Sequence, residues 1–289
     1  MGTNALVLGG GGLLGICWET GVLAGLAEAG VDAAQADLIV GTSAGSVVGT
    51  QIASGRPIQE LLAEHFAPRQ SGIESHMEFD VPTLTSIFAK WATTPEMTPE
   101  KCAEIGAMAL AAKTVSEERW VSSFGPLVGN EWPRRPLLLT AVDAVSGVFQ
   151  TWDRDSNVPI EKAVASSCAV PGLFPAVNIY GRPYVDGGVR SGTSADLAGG
   201  FQNVVIIAPI GARSDGIDPL LGRQAQAEAD ALRMAGSRVQ LLMPDAAALE
   251  SIGINRMDPM RRGPAAEAGV RQGKALAAKL EAVWSKAAA

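Results

Sequence analysis

The stretch Leu38-Ile39-Val40-Gly41-Thr42-Ser43-Ala44-Gly45-Ser46-Val47-Val48-Gly49 constrains this chain more than any other. An apolar run of strand type meets Gly-x-Ser-x-Gly, and small residues with helical spacing follow. Between such a strand and such a helix the backbone reverses so sharply that side chains flanking the serine would collide. Gly41 and Gly45 remove them, and glycine also takes positive φ without a Cβ penalty. The spacing predicts Ser43 at the tip of the turn, over the N-terminus of the next helix. Amide hydrogens and the helix dipole favour developing negative charge there. A tight turn with a capping serine gives the same pattern, so the choice between nucleophile and cap rests on the rest of the chain.

A similar junction precedes it. Ala5-Leu6-Val7-Leu8 reads as a short buried strand, and Gly9-Gly10-Gly11-Gly12-Leu13-Leu14-Gly15 follows at once. Ile16 to Glu28 then has helical spacing, with Val22, Leu23 and Leu26 on one side. A glycine run between strand and helix exposes a row of backbone N–H groups, which bind anions. Two functions use such a loop. Residues 10 to 15 match Gly-x-Gly-x-x-Gly, the dinucleotide fingerprint, but that fingerprint also needs an Asp or Glu at the end of the second strand. Here the second strand runs into Thr42-Ser43 and no carboxylate stands there. The other use is an oxyanion hole, in which N–H groups of Gly10, Gly11 and Gly12 face Ser43 from the neighbouring strand end. One such donor is typically worth about 3 kcal/mol of transition-state stabilisation.

A nucleophilic serine needs a base. The chain has only two histidines, His65 and His76. Both come soon after the serine and neither falls at a strand end, so a Ser-His-Asp triad is not expected. The sequence Tyr184-Val185-Asp186-Gly187-Gly188 offers an alternative, a strand that ends in a carboxylate beside two glycines. Asp186 reads either as the former of a turn or as the base. As a base it needs help, because an ordinary aspartate has a pKa near 3.9 and accepts protons poorly. Burial in an apolar pocket raises that value and sharpens its basicity.

The remaining segments set the scaffold. Ile58–Phe66 is amphipathic, and helical patterns cover about 99–113 and 116–123. Phe79, Phe88, Trp91, Trp120, Phe124 and Trp132 gather in the middle of a chain that is only 5% aromatic. They read as a lid or acyl-chain wall, or as the core of a subsidiary helical layer. Strands are expected at 137–143, 147–152, 203–208 and 238–243, with helices at 160–169, 223–235 and 264–284. Such alternation indicates a mainly parallel sheet covered on both faces, with ligands at the carboxyl ends of the strands. Arg256, Asp258, Arg261 and Arg262 read as a solvated charge cluster without chemistry.

Composition narrows the function classes. A formal net charge of -7 gives no electrostatic attraction to nucleic acid or anionic membrane. The first basic residue is Arg56, so no secretory signal is expected, and no apolar run of about 18 residues suggests a membrane span. The three scattered cysteines, Cys17, Cys102 and Cys168, read as reduced and buried, which points to a cytoplasmic compartment. With two histidines and no Cys-x-x-Cys, no metal site is expected.

These motifs together resemble the patatin-like phospholipase family of lipid acyl hydrolases. The resemblance is carried by Gly10-Gly11-Gly12-Leu13-Leu14-Gly15, Gly41-Thr42-Ser43-Ala44-Gly45 and Asp186-Gly187-Gly188, in that order. The segment Ala165-Ser166-Ser167-Cys168-Ala169-Val170-Pro171-Gly172-Leu173-Phe174 is similar to the family's Ala-Ser-containing stretch. Likeness is strong over about 3–54 and 160–190, weaker through the later strands and the Met257-Asp258-Pro259 region, and residues 70–135 fall outside it. The resemblance implies a three-layer α/β/α fold, and the chain reads as one domain over 1–289 with a helical lid-like segment at about 70–135. It also implies a Ser43–Asp186 dyad without histidine, oxyanion donors at Gly10 to Gly12, and hydrolysis of acyl esters through an acyl-enzyme with no cofactor. The family often carries Arg or Lys where Leu14 stands, so this chain departs from it there, and a neutral or smaller ester becomes more plausible. The alternative from the residues is a non-catalytic lipid- or nucleotide-binding α/β protein using the same loop. Transient membrane contact through apolar insertion stays open on either reading.

Overall fold

The structure is a computed structural model that describes residues 3–67, 81–94, 96–213 and 218–284. His76 and Phe79 lie outside the described residues. One mixed sheet of eight strands forms the middle layer. Its parallel part is built from β1 (Asn4–Leu8), β2 (Leu38–Gly41), β3 (Leu137–Asp143), β7 (Asn203–Ile207) and β8 (Arg238–Leu242). Three strands run antiparallel to their neighbours: β4 (Phe149–Trp152), β5 (Val177–Ile179) and β6 (Arg182–Asp186). Hydrogen-bonded pairing links the strands along the path β5-β6-β3-β2-β1-β7-β8, with β4 also paired to β3.

Alternate residues of the central strands serve opposite faces, as the twofold strand repeat requires. Leu6, Leu8, Ile39 and Leu139 pack under α1 (Gly12–Glu28), α2 (Ala44–Ala53) and α11 (Arg262–Trp284). Ala5, Val7, Val40 and Ile206 pack on α9 (Asp218–Met234) from the other side. The result is the three-layer α/β/α architecture expected from the alternation of strands and helices. Helices α1 and α11 approach backbone to backbone: a Cβ on Gly21 would stand 2.1 Å from the Ala266 carbonyl oxygen. Helices α3 (Ile58–Glu64), α4 (Val81–Ala92), α5 (Pro99–Ala111), α6 (Glu117–Ser122) and α7 (Gly125–Val128) lie between β2 and β3 in the chain. The segment α8 (Ile160–Ser167) leads into β5, and α10 (Ala246–Ile252) precedes α11. No helix among the described residues is long and apolar enough to cross a membrane.

The pairing of β3 positions the site. Leu139 pairs with Trp152 of β4 on one edge and with Gly41 of β2 on the other. Ala141 pairs with Gln150 of β4 and with Asp186 of β6. β4 therefore fills one edge of β3, while β2 and β6 share the opposite edge and meet end to end. Their carboxyl-terminal residues are separated by two residues of β3, about 7 Å of strand. The expectation of Asp186 at a strand end is met, but on an antiparallel strand pointing back at β2.

Candidate active site

Ser43 sits between β2 and α2 with φ 53° and ψ −118°, a conformation that L-residues rarely hold. The glycines around it are steric necessities. A Cβ on Gly45 would lie 2.1 Å from the Leu8 carbonyl oxygen, and one on Gly41 would lie 2.6 Å from the Gly45 carbonyl oxygen. Backbone bonds lock the turn against β1: Thr42 N–H donates to Leu8 O at 3.0 Å and Gly45 N–H to Gly9 O at 3.0 Å. The Ser43 N–H donates to Ser167 Oγ at 3.0 Å, and its carbonyl accepts from Ser46 Oγ at 2.6 Å and Cys168 Sγ at 3.2 Å. Burial pushes the Cys168 thiol well up, with the Asp186 carboxylate adding to the effect, so it remains a protonated donor.

Asp186 approaches from the other side. It is 2% exposed, and Ser43 is 7% exposed. Burial drives its pKa from 3.8 to about 7, while hydrogen bonds from the Ser43 hydroxyl and the Gly188 N–H, both donated to the carboxylate, hold it down. The Gly188 N–H lies 2.7 Å from Asp186 Oδ1. Gly187 permits the close approach of strands here, since a Cβ on it would stand 2.1 Å from Thr140 Oγ1. That hydroxyl in turn shares a 2.8 Å hydrogen bond with Thr42 Oγ1, which stitches the serine turn to β3. The Asp186 N–H donates to Ala169 O at 3.0 Å. One short segment, Ser167 to Ala169, thus braces both Ser43 and Asp186.

The glycine loop lies against the serine: a Cβ on Gly10 would be 3.5 Å from that of Ser43. The structure corrects the expected donor set. The Gly10 N–H donates to the Gly192 carbonyl at 2.8 Å and is not available for an oxyanion. The Leu14 and Gly15 N–H groups are likewise taken, by Arg256 O and Gly11 O. Among the described residues, the N–H groups of Gly11, Gly12, Leu13 and Ala44 meet no protein acceptor, and all four residues line the cavity in front of Ser43. Ala44 was not among the expected donors, although its position directly after the serine is the readable signal. Helix α1 starts at Gly12, inside the glycine run rather than at Ile16, because its first turn uses these glycines.

A cavity of about 1080 Å³ opens in front of the pair. Its apolar walls include Phe88, Trp91, Trp120, Phe124 and Phe174. Trp120 stacks on Phe174 at 3.8 Å and meets Phe124 edge-on at 4.8 Å, and its indole N–H donates to Ala165 O at 3.0 Å. Phe88, Trp91, Trp120 and Phe124 are therefore both part of the packing of a helical layer and a wall of the cavity. Trp91 comes within 3.8 Å of a Cβ placed on Gly188, next to the carboxylate that burial desolvates. His65 also lines the cavity, with Nδ1 3.5 Å from Cys17 Sγ. The three cysteines form no disulfide and are buried.

Leu14 and the 256–262 cluster differ in their access to solvent. Leu14 is fully buried in the core beneath α1, so a charged side chain in that rotamer would be desolvated. The 256–262 cluster is not uniformly solvated. The Arg256 side chain is only 15% exposed and lines the cavity, whereas Arg261 is 46% exposed.

The family model for patatin-like phospholipase matches residues 6–198. The chain belongs to the patatin-like phospholipase family. Its members are lipid acyl hydrolases, and the matched range contains the glycine loop, Ser43 and Asp186. Among solved structures, the chain is similar to VipD from Legionella pneumophila, at 14% identity and a TM-score of 0.49, over 96% of this chain and 67% of that one. It is also similar to the type III effector protein ExoU, at 13% identity and a TM-score of 0.41, over 98% of this chain and 54% of that one. Among curated proteins none matches the chain. No group of His, Cys, Asp or Glu among the described residues is placed to hold a metal ion.

Proposed function

We propose that this patatin-like protein hydrolyses acyl esters of lipids through a Ser43–Asp186 dyad and an acyl-enzyme. The observation that carries the proposal is a buried carboxyl, poised near neutrality, facing a serine held at the tip of a strained turn. Asp186 takes the Ser43 proton as Oγ attacks the ester carbonyl. The oxyanion is received by N–H groups of Gly11, Gly12 and Ala44, with the α2 N-terminus behind it. Collapse of the tetrahedral intermediate expels the alcohol, which takes the proton back from Asp186. Water, deprotonated by Asp186, then releases the acyl group. The acyl chain lies along the aromatic wall formed by Trp120, Phe124 and Phe174. Family membership accounts for the Gly10–Gly15 pattern without a dinucleotide.

The rim of the cavity supports transient contact with a lipid surface. Ile254 and Met260 are each 84% exposed and Phe66 is 49% exposed, on the two segments that border the opening. Arg262 ties these segments together by donating to the Glu64 and Ala67 carbonyls.

The direct test is covalent labelling by a fluorophosphonate, with turnover of short and long p-nitrophenyl esters in parallel. Wild type is expected to label and turn over, and Ser43→Ala and Asp186→Asn to lose turnover. Labelling or turnover that survives Ser43→Ala unchanged would remove the dyad.

A further inference from the structure

We infer that Arg256 is a positioning residue for the anion-binding loop, acting on Gly11, Gly12 and Leu14 from a segment near the far end of the chain. The inference rests on the oxyanion role proposed above. Three contacts carry it. The Arg256 carbonyl accepts the Leu14 N–H at 3.0 Å, which fixes the first turn of α1. Its carbonyl oxygen and Cβ stand 3.3 and 3.4 Å from where a Cβ on Gly12 would be, so the residue packs directly on that glycine, whose φ is +64°. Its guanidinium donates from Nη1 to the Pro209 carbonyl at 3.2 Å, and Pro209 packs so closely under Gly11 that a Cβ there would lie 2.6 Å from the proline ring. Residues on both sides of the unengaged N–H groups are thereby held by one side chain and its own backbone.

The guanidinium is itself anchored. Nη2 donates to Asp218 Oδ2 at 2.8 Å, and the same oxygen accepts the Gly211 N–H at 3.2 Å and the Arg213 N–H at 3.4 Å. Asp218 is 7% exposed, so the pair is little screened and directional. The planar fork of arginine reaches a carbonyl and a carboxylate at once, a geometry that a lysine point charge does not reproduce. An oxyanion hole works only when its donors are fixed before charge develops, and misplacement by about 1 Å costs around a hundredfold in rate. Arg256 supplies that fixation.

The test uses the 289-residue chain as wild type, Arg256→Met, Arg256→Lys and Asp218→Asn. Active sites are counted by fluorophosphonate titration, so that misfolded protein does not enter kcat. Arg256→Met is expected to lower kcat per titrated site on a short soluble ester by about 10- to 100-fold, with KM within about twofold. Affinity for a trifluoromethyl ketone, which mimics the tetrahedral adduct, is expected to fall by the same factor. Arg256→Lys is expected to fall between wild type and Arg256→Met, and it decides the matter if the methionine variant does not fold. Amide hydrogen exchange at Leu14 and Gly15, whose N–H groups donate to Arg256 O and Gly11 O, is expected to accelerate in all three variants, a readout that needs no turnover. Unchanged exchange at those amides, or unchanged kcat per titrated site, would overturn the inference. A wild type that neither labels nor turns over would instead remove the proposed reaction, and the exchange measurement would still decide what Arg256 holds.

Discussion

Replacing Asp186 by Asn separates the chemistry of this site from its cost in stability. An aspartate in the unfolded chain titrates near 3.8, whereas burial holds Asp186 near 7 in the folded protein. Between these values the folded state keeps a proton that the unfolded state has released. Stability therefore falls as pH rises from about 4 to about 7, then levels off, the opposite sense to a salt-bridged carboxylate. About three pH units at 1.36 kcal/mol each make the ionised group cost up to about 4 kcal/mol above pH 7. The amide of the Asp186→Asn variant carries no such charge. Urea unfolding should find Asp186→Asn more stable than wild type at pH 8 by up to about 4 kcal/mol, and nearly equal to it below pH 4. On the proposed mechanism activity runs the other way, because Asp186 must be ionised to act as the base. The ionised fraction is about 1% at pH 5 and about 90% at pH 8, so wild-type kcat/KM should rise by nearly two orders of magnitude along one limb centred near 7. The assay is kcat/KM on a short p-nitrophenyl ester, read at the isosbestic wavelength of p-nitrophenol. A flat profile between pH 5 and 8, or a stability difference that does not grow with pH, would refute the assignment of Asp186 as a buried base.

Ser43→Gly should raise thermal stability while abolishing turnover. The φ of 53° with ψ of −118° costs a serine about 1–3 kcal/mol, which glycine avoids at a smaller entropic expense. A net gain of about 1 kcal/mol corresponds to a Tm rise of about 2–4 °C by calorimetry, and a lower Tm would show that the turn is unstrained. The double variant Ile254→Ser, Met260→Ser should lose at least about tenfold in sedimentation with phosphatidylcholine vesicles, since each large apolar side chain gains up to about 2 kcal/mol on leaving water. Its turnover of a short soluble ester should change less than about threefold, and undiminished vesicle binding would move the docking surface elsewhere.

Several features of this protein could be read from the chain directly, because they follow from local sterics. The run Leu38 to Gly45 has no conformation available that keeps a strand, a helix and two flanking glycines except a sharp turn with the serine outermost, and Ser43 is found there. The strand, glycine run and helix at residues 4–28 likewise follow from hydrophobic spacing and the absence of Cβ atoms. Asp186 at a strand end before two glycines was equally legible.

What the sequence left open depends on partners far away in the chain. Spacing alone does not reveal that β6 runs head-on toward β2 along one edge of β3, yet this brings Asp186 to Ser43. Nor does it reveal that Gly192 takes the Gly10 N–H, while the N–H groups of Gly11, Gly12, Leu13 and Ala44 meet no protein acceptor among the described residues. The elevated pKa of Asp186 is a property of surroundings, since desolvation is produced by whatever packs around a group. Arg256 reads as one more charge in a polar stretch until tertiary packing closes it against Gly12 and Asp218. The sequence by itself determined the turns, because a turn is decided by the few residues that make it. The burial of Asp186 and the engagement of the loop amides were decided only by the tertiary structure, because both are set by residues that meet across the whole fold.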